Sequence, residues 1–437
     1  MIEKAPIPDI ALQTQAIEFL VDNKNAELLS KINKDYLYWD KVKYMAPKGI
    51  APAVVWSAVK IQRHLNVIEV RFGHYSFHFT VTSPMQALLH EFDMSFGGSL
   101  GTNSVVPKKN HSVYLVSSIM EEAIASSQME GASTTRRVAK DMLRKQSKPQ
   151  NRDQQMILNN YSTIRYIVDH RNDDFSVTRL CEIHRSITSK TLDNPEDEGR
   201  FRTDDNILVV NGITGDVAHT PPPYTEIASL VNSLCEFANK DSEDPFVHPV
   251  IKAIIIHFML SFIHPFVDGN GRTARSLFYW YMLKKGYWLT EYLSISRVIY
   301  KSKTKYEKAF LYVENDGFDL SYFIHFNLSV MRKAFDELKK YLQKKIDEQE
   351  DFYTFMAFSN VNERQSRLIK ILNEKPNTMF TVNELTTRFD ITAKTARADL
   401  KHLVELGLLQ PVAINLRTTG YIKTDSFDTR LKELLNF

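Results

Sequence analysis

Apolar residues recur at intervals of three and four through most of the chain, which is the spacing of amphipathic helices. The pattern dominates from about residue 112 to 346, in stretches such as SIMEEAIASS, RVAKDMLRKQ, VTRLCEIHRSI and VIKAIIIHFMLSF. The last of these follows Pro249, a residue suited to a first helical turn, and its apolar residues predict a buried helix. We therefore expect a mainly α fold.

Two segments alternate between apolar and polar residues and predict β-hairpins instead. The first lies within residues 1–110, where VIEVRF and YSFHFTVT flank a turn near Gly73-His74. The second is ILVVNGITGDVAHTPPP, with turn residues at Asn211-Gly212 and Gly215-Asp216. Residues 1–110 also contain short helical stretches, so we expect a mixed α/β region there.

The end of the chain forms a unit of its own after the charged run KKIDEQED. RQSRLIKILNEK, FTVNELTTRFD and ITAKTARADLKHLVELGLL predict three helices, with Thr392 as the N-cap of the third. GLLQPVAINLRTTGYIKT predicts a two-stranded wing with its turn near Thr419-Gly420. This order of elements resembles a winged helix-turn-helix, so we divide the chain into regions at 1–110, 111–350 and 360–437.

The composition is that of an ordinary globular protein, with 43% hydrophobic and 24% charged residues. A net charge of +3 is too small to imply that the whole chain binds nucleic acid or a membrane. The start, MIEKAPIPDI, does not have the pattern of a signal peptide. The longest apolar run falls short of the ~20 residues of a membrane span. Cys181 and Cys235 lie in apolar segments and are expected to be reduced thiols, so we expect a cytoplasmic protein.

The stretch HPFVDGNGRTAR, residues 264–275, carries groups suited to one kind of chemistry. Its DGNG cluster ends one helical pattern and the next begins near Arg272, so the glycines precede a helix N-terminus, which favours an anion. Asp268 is a hard oxygen ligand suited to Mg²⁺ bound to phosphates. Arg272 and Arg275 can neutralise a polyphosphate, and His264 can act as a general base. These residues predict transfer of a phosphate-containing group from a nucleotide to a hydroxyl.

The same twelve residues resemble the signature of the Fic family, H-P-F-x-D/E-G-N-G-R-x-x-R, at every fixed position. The resemblance extends over roughly residues 112–330 and includes LCEIHRSI and EGRFRTDDNILV. It implies a Fic-type helical core with a β-hairpin flap. It also implies a protein adenylyltransferase, which transfers AMP from ATP to a Ser, Thr or Tyr hydroxyl of a target protein with Mg²⁺.

The resemblance implies a role for each position of the motif. His264 would deprotonate the target hydroxyl, and Asp268 would hold Mg²⁺ on the α- and β-phosphates. Arg272 would bind the β-phosphate and Arg275 the γ-phosphate. The residues that would cradle the phosphates are Gly269, Asn270, with its place on the α-phosphate, and Gly271. The related Doc-type kinases have a lysine at this last glycine, so its presence here favours adenylylation over phosphorylation.

Two further segments resemble family elements that contact the substrates. The hairpin around Val209, Val210, Asn211 and Gly212 resembles the flap, which pairs with an extended segment of the target protein. Tyr306, in KYEKAF, lies roughly where relatives supply an aromatic residue for adenine. The pattern there departs by one residue, and a core tyrosine is the alternative interpretation.

AIASSQMEGAS resembles the family's inhibitory motif, S/T-x-x-x-E-G/N, through Ser126, Glu130 and Gly131. The motif would end an inhibitory helix of about residues 112–131, with the glycine just beyond the helix. Glu130 then lies at the negative end of the helix dipole, where a carboxylate needs a compensating cation. The resemblance supplies Arg275 as that cation, and a glutamate bound there would misplace ATP.

Three functions remain as alternatives. The favoured one is an autoinhibited adenylyltransferase. The second is a DNA-binding regulator with a vestigial Fic module, in which Lys394, Thr395, Arg397 and Lys401 would be exposed on the recognition helix. The third is a phosphodiesterase that removes AMP, with Glu130 positioning water. The C-terminal unit has only a small excess of basic residues, so DNA, a docking protein and a second copy of the chain all remain alternatives as its partner.

Overall fold

The computed structural model describes residues 2–7, 10–97, 111–210, 215–240, 244–356, 361–389, 391–415 and 418–435. The expected mainly α fold is confirmed. The chain divides into two compact units, Met1–Leu338 and Lys339–Phe437. None of the described helices is both long and apolar enough to cross a membrane.

The first unit is built from helices and two short hairpins. Its early helices are α1 (Ile10–Val21), α2 (Ala26–Lys34), α3 (Trp39–Val42), α4 (Pro52–His64) and α5 (Ser83–Phe92). Its later helices are α6 (His111–Met129), α7 (Arg136–Lys145), α8 (Arg152–Asp169), α9 (Val177–Thr188), α10 (Ile227–Asn239), α11 (Pro249–Ile263), α12 (Asn270–Lys284), α13 (Ile295–Tyr300), α14 (Lys303–Asn315) and α15 (Ser321–Met356), which continues past the unit boundary. The hairpins are β1 (Ile68–Phe72) with β2 (Tyr75–Phe79), and β3 (Val209–Val210) with β4 (Val217–His219).

Both hairpins lie where the alternating pattern predicts them. In the first, Phe72 pairs with Tyr75, so the predicted turn at Gly73–His74 is confirmed. In the second, Val209 pairs with His219 and the register is irregular at the next residue. The predicted turn residues Asn211 and Gly212 lie outside the described residues.

The hairpin β1–β2 is packed into the core. The ring centroid of Phe77 lies 5.2 Å from that of Phe262 in α11 and 4.9 Å from that of Phe318. The backbone of His78 donates to Phe318 O at 3.2 Å and accepts from Leu320 N at 2.8 Å. This segment of the N-terminal region therefore supports the end of α11.

Helices α11 and α12 pack against each other at the centre of the unit. Every α11 residue from Val250 to Ile263 is buried except Ser261, which confirms the predicted buried helix and its start at Pro249. Nearly all of α12 is buried as well. The loop that joins them therefore lies between two buried helix ends, where its side chains are held by the core on both sides.

The second unit is a winged helix-turn-helix, as predicted from the order of its elements. After the end of α15 it consists of α16 (Glu363–Glu374), β5 (Met379–Thr381), α17 (Val382–Phe389), α18 (Ala393–Glu405), β6 (Leu409–Asn415), β7 (Thr418–Lys423) and α19 (Phe427–Leu435). The sheet has the order β5–β7–β6, so it has one strand more than predicted. Thr392 caps α18 by accepting from Thr395 N at 3.2 Å, which confirms the predicted N-cap.

The predicted turn at Thr419–Gly420 is wrong. Both residues lie within β7, where Gly420 pairs with Val412 of β6 and with Thr381 of β5. A Cβ at this glycine would collide with the Met379 side chain. The glycine therefore allows close packing across the sheet and does not mark a turn.

Candidate functional site

The loop between α11 and α12 is closed at both ends by left-handed backbone. His264 has φ +47 and follows α11, and Gly269 has φ +85 and precedes α12. The buried Asn270 side chain accepts from Phe266 N at 3.0 Å and donates to Phe266 O at 2.8 Å. These two bonds fold the loop back on itself and fix the start of the helix.

The helix begins at Asn270, two residues earlier than the resumption predicted near Arg272. The predicted start is wrong because the amide side chain of Asn270 and the positive φ of Gly269 terminate the loop, which apolar periodicity does not report. Asn270 and Gly271 therefore lie in the first turn, where backbone N–H groups have no partner within the helix. Because the side chain of Asn270 bonds Phe266 within the loop, the backbone N–H of Asn270 is the group available to an anion at this helix end.

His264 is held as a neutral imidazole. Its Nδ1 lies 3.3 Å from Ser261 O, and because a carbonyl can only accept, the proton is on Nδ1 and the Nε2 lone pair remains. Burial lowers the pKa of His264 to about 4. Arg202 Nε donates to its carbonyl at 3.0 Å, which fixes the backbone at this point. At neutral pH, His264 is therefore unprotonated at Nε2 and can accept a proton there.

Arg272 is a buried cation with an unsatisfied donor. Only 1% of the residue is exposed, and its Nε has no hydrogen-bond partner. Its Nη2 lies 3.5 Å from Asp268 Oδ2, and the Asp268 side chain is 50% exposed. Buried donors in proteins are almost always paired. An orphaned guanidinium N–H beside a helix N-terminus is therefore suited to an anionic ligand.

Arg275 is held by the end of α6. Its Nε donates to Ser126 Oγ at 2.9 Å and its Nη2 donates to Ser126 O at 3.0 Å and Glu130 Oε1 at 2.8 Å. Burial opposes the charged form of Glu130, but Arg275 outweighs it and lowers the pKa of this carboxyl. The Glu130 side chain is 31% exposed, so it is reachable from solvent although it is paired. The structure thus brings together the arginine and the glutamate named from the sequence.

The last turn of α6 sets the position of Glu130. Gly131 has φ +97, Ala132 N donates to Ser127 O at 3.1 Å, and Gly131 N donates to Gln128 O at 3.2 Å. This is the hydrogen-bond pattern of a Schellman motif, which requires a glycine-like residue after the helix. A Cβ on Gly271 would collide with the Glu130 carboxylate and would lie 3.2 Å from Arg275 Nη1. Glu130 therefore occupies the space directly over the first turn of α12.

A cavity of about 210 Å³ opens beside these residues. Glu130, His264, Gly271, Arg275 and Tyr306 line one part of it, and Val209, Val210, Ala218 and His219 of the hairpin β3–β4 line another. Tyr306, in α14, lies 2.9 Å through its hydroxyl from His257 Nε2 and is largely buried. Asp268 and Arg272 do not line this cavity.

Three residues that hold the site were missed in the sequence. His184 Nε2 lies 2.7 Å from Asp268 O, and Gly199 N donates to its Nδ1 at 2.9 Å. Arg202 donates hydrogen bonds to the loop and to backbone carbonyls before and after the hairpin β3–β4. His219 Nε2 lies 2.8 Å from Phe262 O. All three lie in segments that resemble family elements, but a single sequence does not show which backbone group each one contacts.

Residues 174–282 match the model of the Fic/DOC family. They form a Fic domain. Residues 364–412 match the model of the DeoR-like helix-turn-helix domain. The two matches agree with the helical core and the winged helix described above.

The Fic domain also has relatives among known proteins. "Protein adenylyltransferase Fic" of Drosophila sechellia is 30% identical over 163 residues, which cover 37% of this chain and 29% of the relative. The protein of the same name in Drosophila mojavensis is 31% identical over 157 residues, 36% of this chain and 28% of the relative. The chain thus matches less than a third of the length of these relatives.

A solved structure has the same fold. The crystal structure of a Fic family protein from Desulfovibrio desulfuricans G20 covers 79% of this chain and 97% of that chain, with a TM-score of 0.52 and 20% identity. The likeness extends well beyond the 109 residues of the Fic domain match, because it includes most of the first unit. At 20% identity, this likeness shows that the two chains share a fold and shows nothing about activity.

Proposed function

We propose that the chain is a protein adenylyltransferase that transfers AMP from ATP to a hydroxyl of a target protein. The observation that carries the proposal is a neutral, partly buried histidine, His264, beside the start of a helix whose first turns carry two buried arginines. The relatives named as adenylyltransferases support the same reaction.

The proposed reaction is a single displacement at phosphorus. His264 Nε2 takes the proton of the target hydroxyl, and the hydroxyl oxygen forms a bond to the α-phosphorus. The bond from that phosphorus to the bridging oxygen breaks, and pyrophosphate leaves. Arg272 and Arg275 would neutralise the charge on the leaving group. The absence of a side chain at Gly271 leaves room for the phosphates over the helix N-terminus.

The residues of the loop fit a magnesium ion that is held largely by its nucleotide. Mg²⁺ keeps several waters and usually takes one or two carboxylates together with substrate phosphates. The half-exposed carboxylate of Asp268 is such a ligand, and no group of three metal-binding side chains occurs in the parts of the chain that the structure describes. Bound there, the ion would neutralise charge on the triphosphate.

The hairpin β3–β4 is suited to hold the target protein. Val210 and Val217 are each 54% exposed, and Val209, Val210 and Ala218 line the cavity that contains His264. A two-stranded sheet with an exposed apolar edge can accept an extended segment by strand addition. We propose that the target backbone pairs here and presents its hydroxyl to His264.

We further propose that Glu130 inhibits the enzyme. It binds the arginine that should meet the γ-phosphate and fills the space over Gly271. ATP that binds around it would have its α-phosphate out of line with the hydroxyl. The alternative in which Glu130 orients a water for removal of AMP uses the same position of the carboxylate.

Incubation with Mg²⁺ and ATP labelled at the α-phosphate tests the reaction. We expect the Glu130→Gly variant to transfer the label to itself and to proteins of a cell lysate, whereas ATP labelled at the γ-phosphate should transfer none. Transfer of the γ-label instead would show a kinase. Loss of label from pre-modified protein with the wild type would favour the phosphodiesterase.

The pH dependence of the reaction follows from the lowered pKa of His264. A base acts unprotonated, so a pKa of about 4 keeps His264 active down to about pH 5. For the Glu130→Gly variant we expect kcat/KM for ATP to change less than about twofold through this group between pH 8 and 5.5. A histidine of ordinary pKa, ~6.5, would cost about tenfold over that range. ATP binding measured at each pH is the control, and a tenfold loss with unchanged binding would contradict the assignment.

The winged helix favours a second function, DNA binding. It matches a DeoR-like helix-turn-helix model, and Lys394, Arg397 and Lys401 are exposed on α18. Thr395 was expected to be exposed with them, but it is partly buried and its hydroxyl lies 2.9 Å from that of Thr392.

Salt dependence separates DNA binding from protein docking. We expect duplex DNA affinity to fall steeply with salt, and Lys394→Ala or Arg397→Ala to weaken it and to reduce the salt slope by about one. Arg367→Ala is the matched control, because Arg367 is an exposed arginine of α16 paired with Glu363. Absence of binding at low salt, or equal losses in all three variants, would favour a protein partner.

A further inference from the structure

We propose that helix α6 is a permanent part of the nucleotide site, because Ser126 sets the orientation in which Arg275 binds a phosphate. The proposal rests on the proposed function and concerns how its site is built. It makes Ser126 a positioning residue for Arg275, in addition to its place in the motif that ends at Gly131.

Arg275 makes two hydrogen bonds to Ser126 and one to Glu130. Ser126 accepts from Nε through its hydroxyl and from Nη2 through its carbonyl, at 2.9 and 3.0 Å. Glu130 accepts only from Nη2, at 2.8 Å. Loss of Glu130 therefore leaves both bonds to Ser126 in place. A guanidinium is a planar fork, and these two bonds define its plane.

The rest of α6 is anchored too firmly to leave. Every residue from Ile119 to Ser127 is buried. Glu122, one of them, accepts from Ser296 N at 2.9 Å and from Ser294 Oγ at 3.3 Å, and also bonds the Ser296 hydroxyl. Undocking the helix would strip these partners from a buried carboxylate and expose its apolar neighbours.

The end of the helix is more exposed than its middle. Gln128 is partly exposed, and Glu130 is 31% exposed in a turn closed by Gly131. A γ-phosphate can therefore replace the Glu130 carboxylate on Arg275 while Ser126 still holds the guanidinium. Release of inhibition is then a change in the last turn and not a displacement of α6.

Single substitutions in the Glu130→Gly background test the role of Ser126. We expect Ser126→Ala to raise KM for ATP about tenfold, the effect of losing one hydrogen bond to a charged group, with a smaller change in kcat. ADP lacks the γ-phosphate, so its Kd should change less than about twofold. Ser126→Thr, which keeps the hydroxyl, should restore the KM.

Ser127→Ala is the matched control. Ser127 is the next residue, is fully buried, and bonds Ala123 O within the helix and not Arg275. Its variant should keep the KM of the parent and should match Ser126→Ala in unfolding midpoint. Equal KM values in the Ser126→Ala and Ser127→Ala variants would overturn the proposal.

Hydrogen exchange tests whether the helix stays docked. On addition of ATP and Mg²⁺ to the wild type, we expect amides of residues 119–126 to stay protected and any gain of exchange to be confined to residues 128–131. Faster exchange throughout 119–126 would overturn the proposal. If no AMP transfer is found at all, the proposed function fails, but the comparison of ATP with ADP binding in the Ser126→Ala variant still decides the role of Ser126.

Discussion

Replacing His264 is expected to slow AMP transfer by about 10²–10⁴-fold while ATP affinity stays within a few-fold of the parent, as removal of a general base does. In the proposed reaction, His264 supplies the neutral Nε2 that takes the proton and makes no contact with a phosphate. The measurement is the single-turnover rate in the Glu130→Gly background, with ATP binding measured by calorimetry.

The choice of substitution matters because His264 has φ +47. Alanine in left-handed backbone costs roughly 1–2 kcal/mol, whereas asparagine tolerates it better. His264→Asn therefore removes the base with less strain, and both variants should lose activity. His170→Ala, at an exposed histidine after α8, is the control for loss of a histidine elsewhere. Near-parental transfer by His264→Asn would exclude His264 as the base.

Replacing Glu130 with glycine is expected to raise AMP transfer on the order of a hundredfold. Glu130 bonds Arg275 Nη2 and fills the space over Gly271, so under the proposed inhibition its removal should let the γ-phosphate reach the arginine and the α-phosphate align. A misplacement of ~1 Å can cost about that factor. The rate of label transfer from α-labelled ATP, wild type beside variant, measures the effect.

Further variants separate the carboxylate from the helix that carries it. Glu130→Asp should be intermediate, because its carboxylate is one methylene short, and Arg275→Ala should be inactive with or without Glu130. Glu121→Gln is the matched control: Glu121 is a carboxylate of the same helix, but it bonds Arg136 and Lys140. Equal transfer by wild type and Glu130→Gly would show that Glu130 does not inhibit this chain.

The elements with local signals could be predicted from the sequence. Pro249 and the apolar run after it predict α11, and Thr392 predicts the start of α18, because caps and periodicity depend on neighbouring residues. The twelve residues of the motif can be placed in one loop and the first turns of the next helix for the same reason. They are contiguous, so the chain itself brings them together.

The features that were missed depend on contacts distant in sequence. Arg202 bonds the carbonyl of His264, and Glu122 bonds Ser296, 174 residues away. In the sequence, Arg202 and Glu122 cannot be distinguished from the other polar residues of their segments. The pattern predicts a turn at Gly420 because glycine is common in turns, whereas in the strand its missing side chain makes room for Met379, a contact that local sequence does not report.

The packing of Phe77 against the end of α11 has a consequence for how the domain is delimited. The family model matches residues 174–282, which contain α9 to nearly the end of α12 but neither the hairpin β1–β2 nor the helix that carries Ser126. A fragment trimmed to those limits would leave Phe262 without Phe77 and Arg275 without Ser126 and Glu130. The limits of the family match are therefore narrower than those of the compact unit Met1–Leu338, which also contains the hairpin β1–β2 and α6.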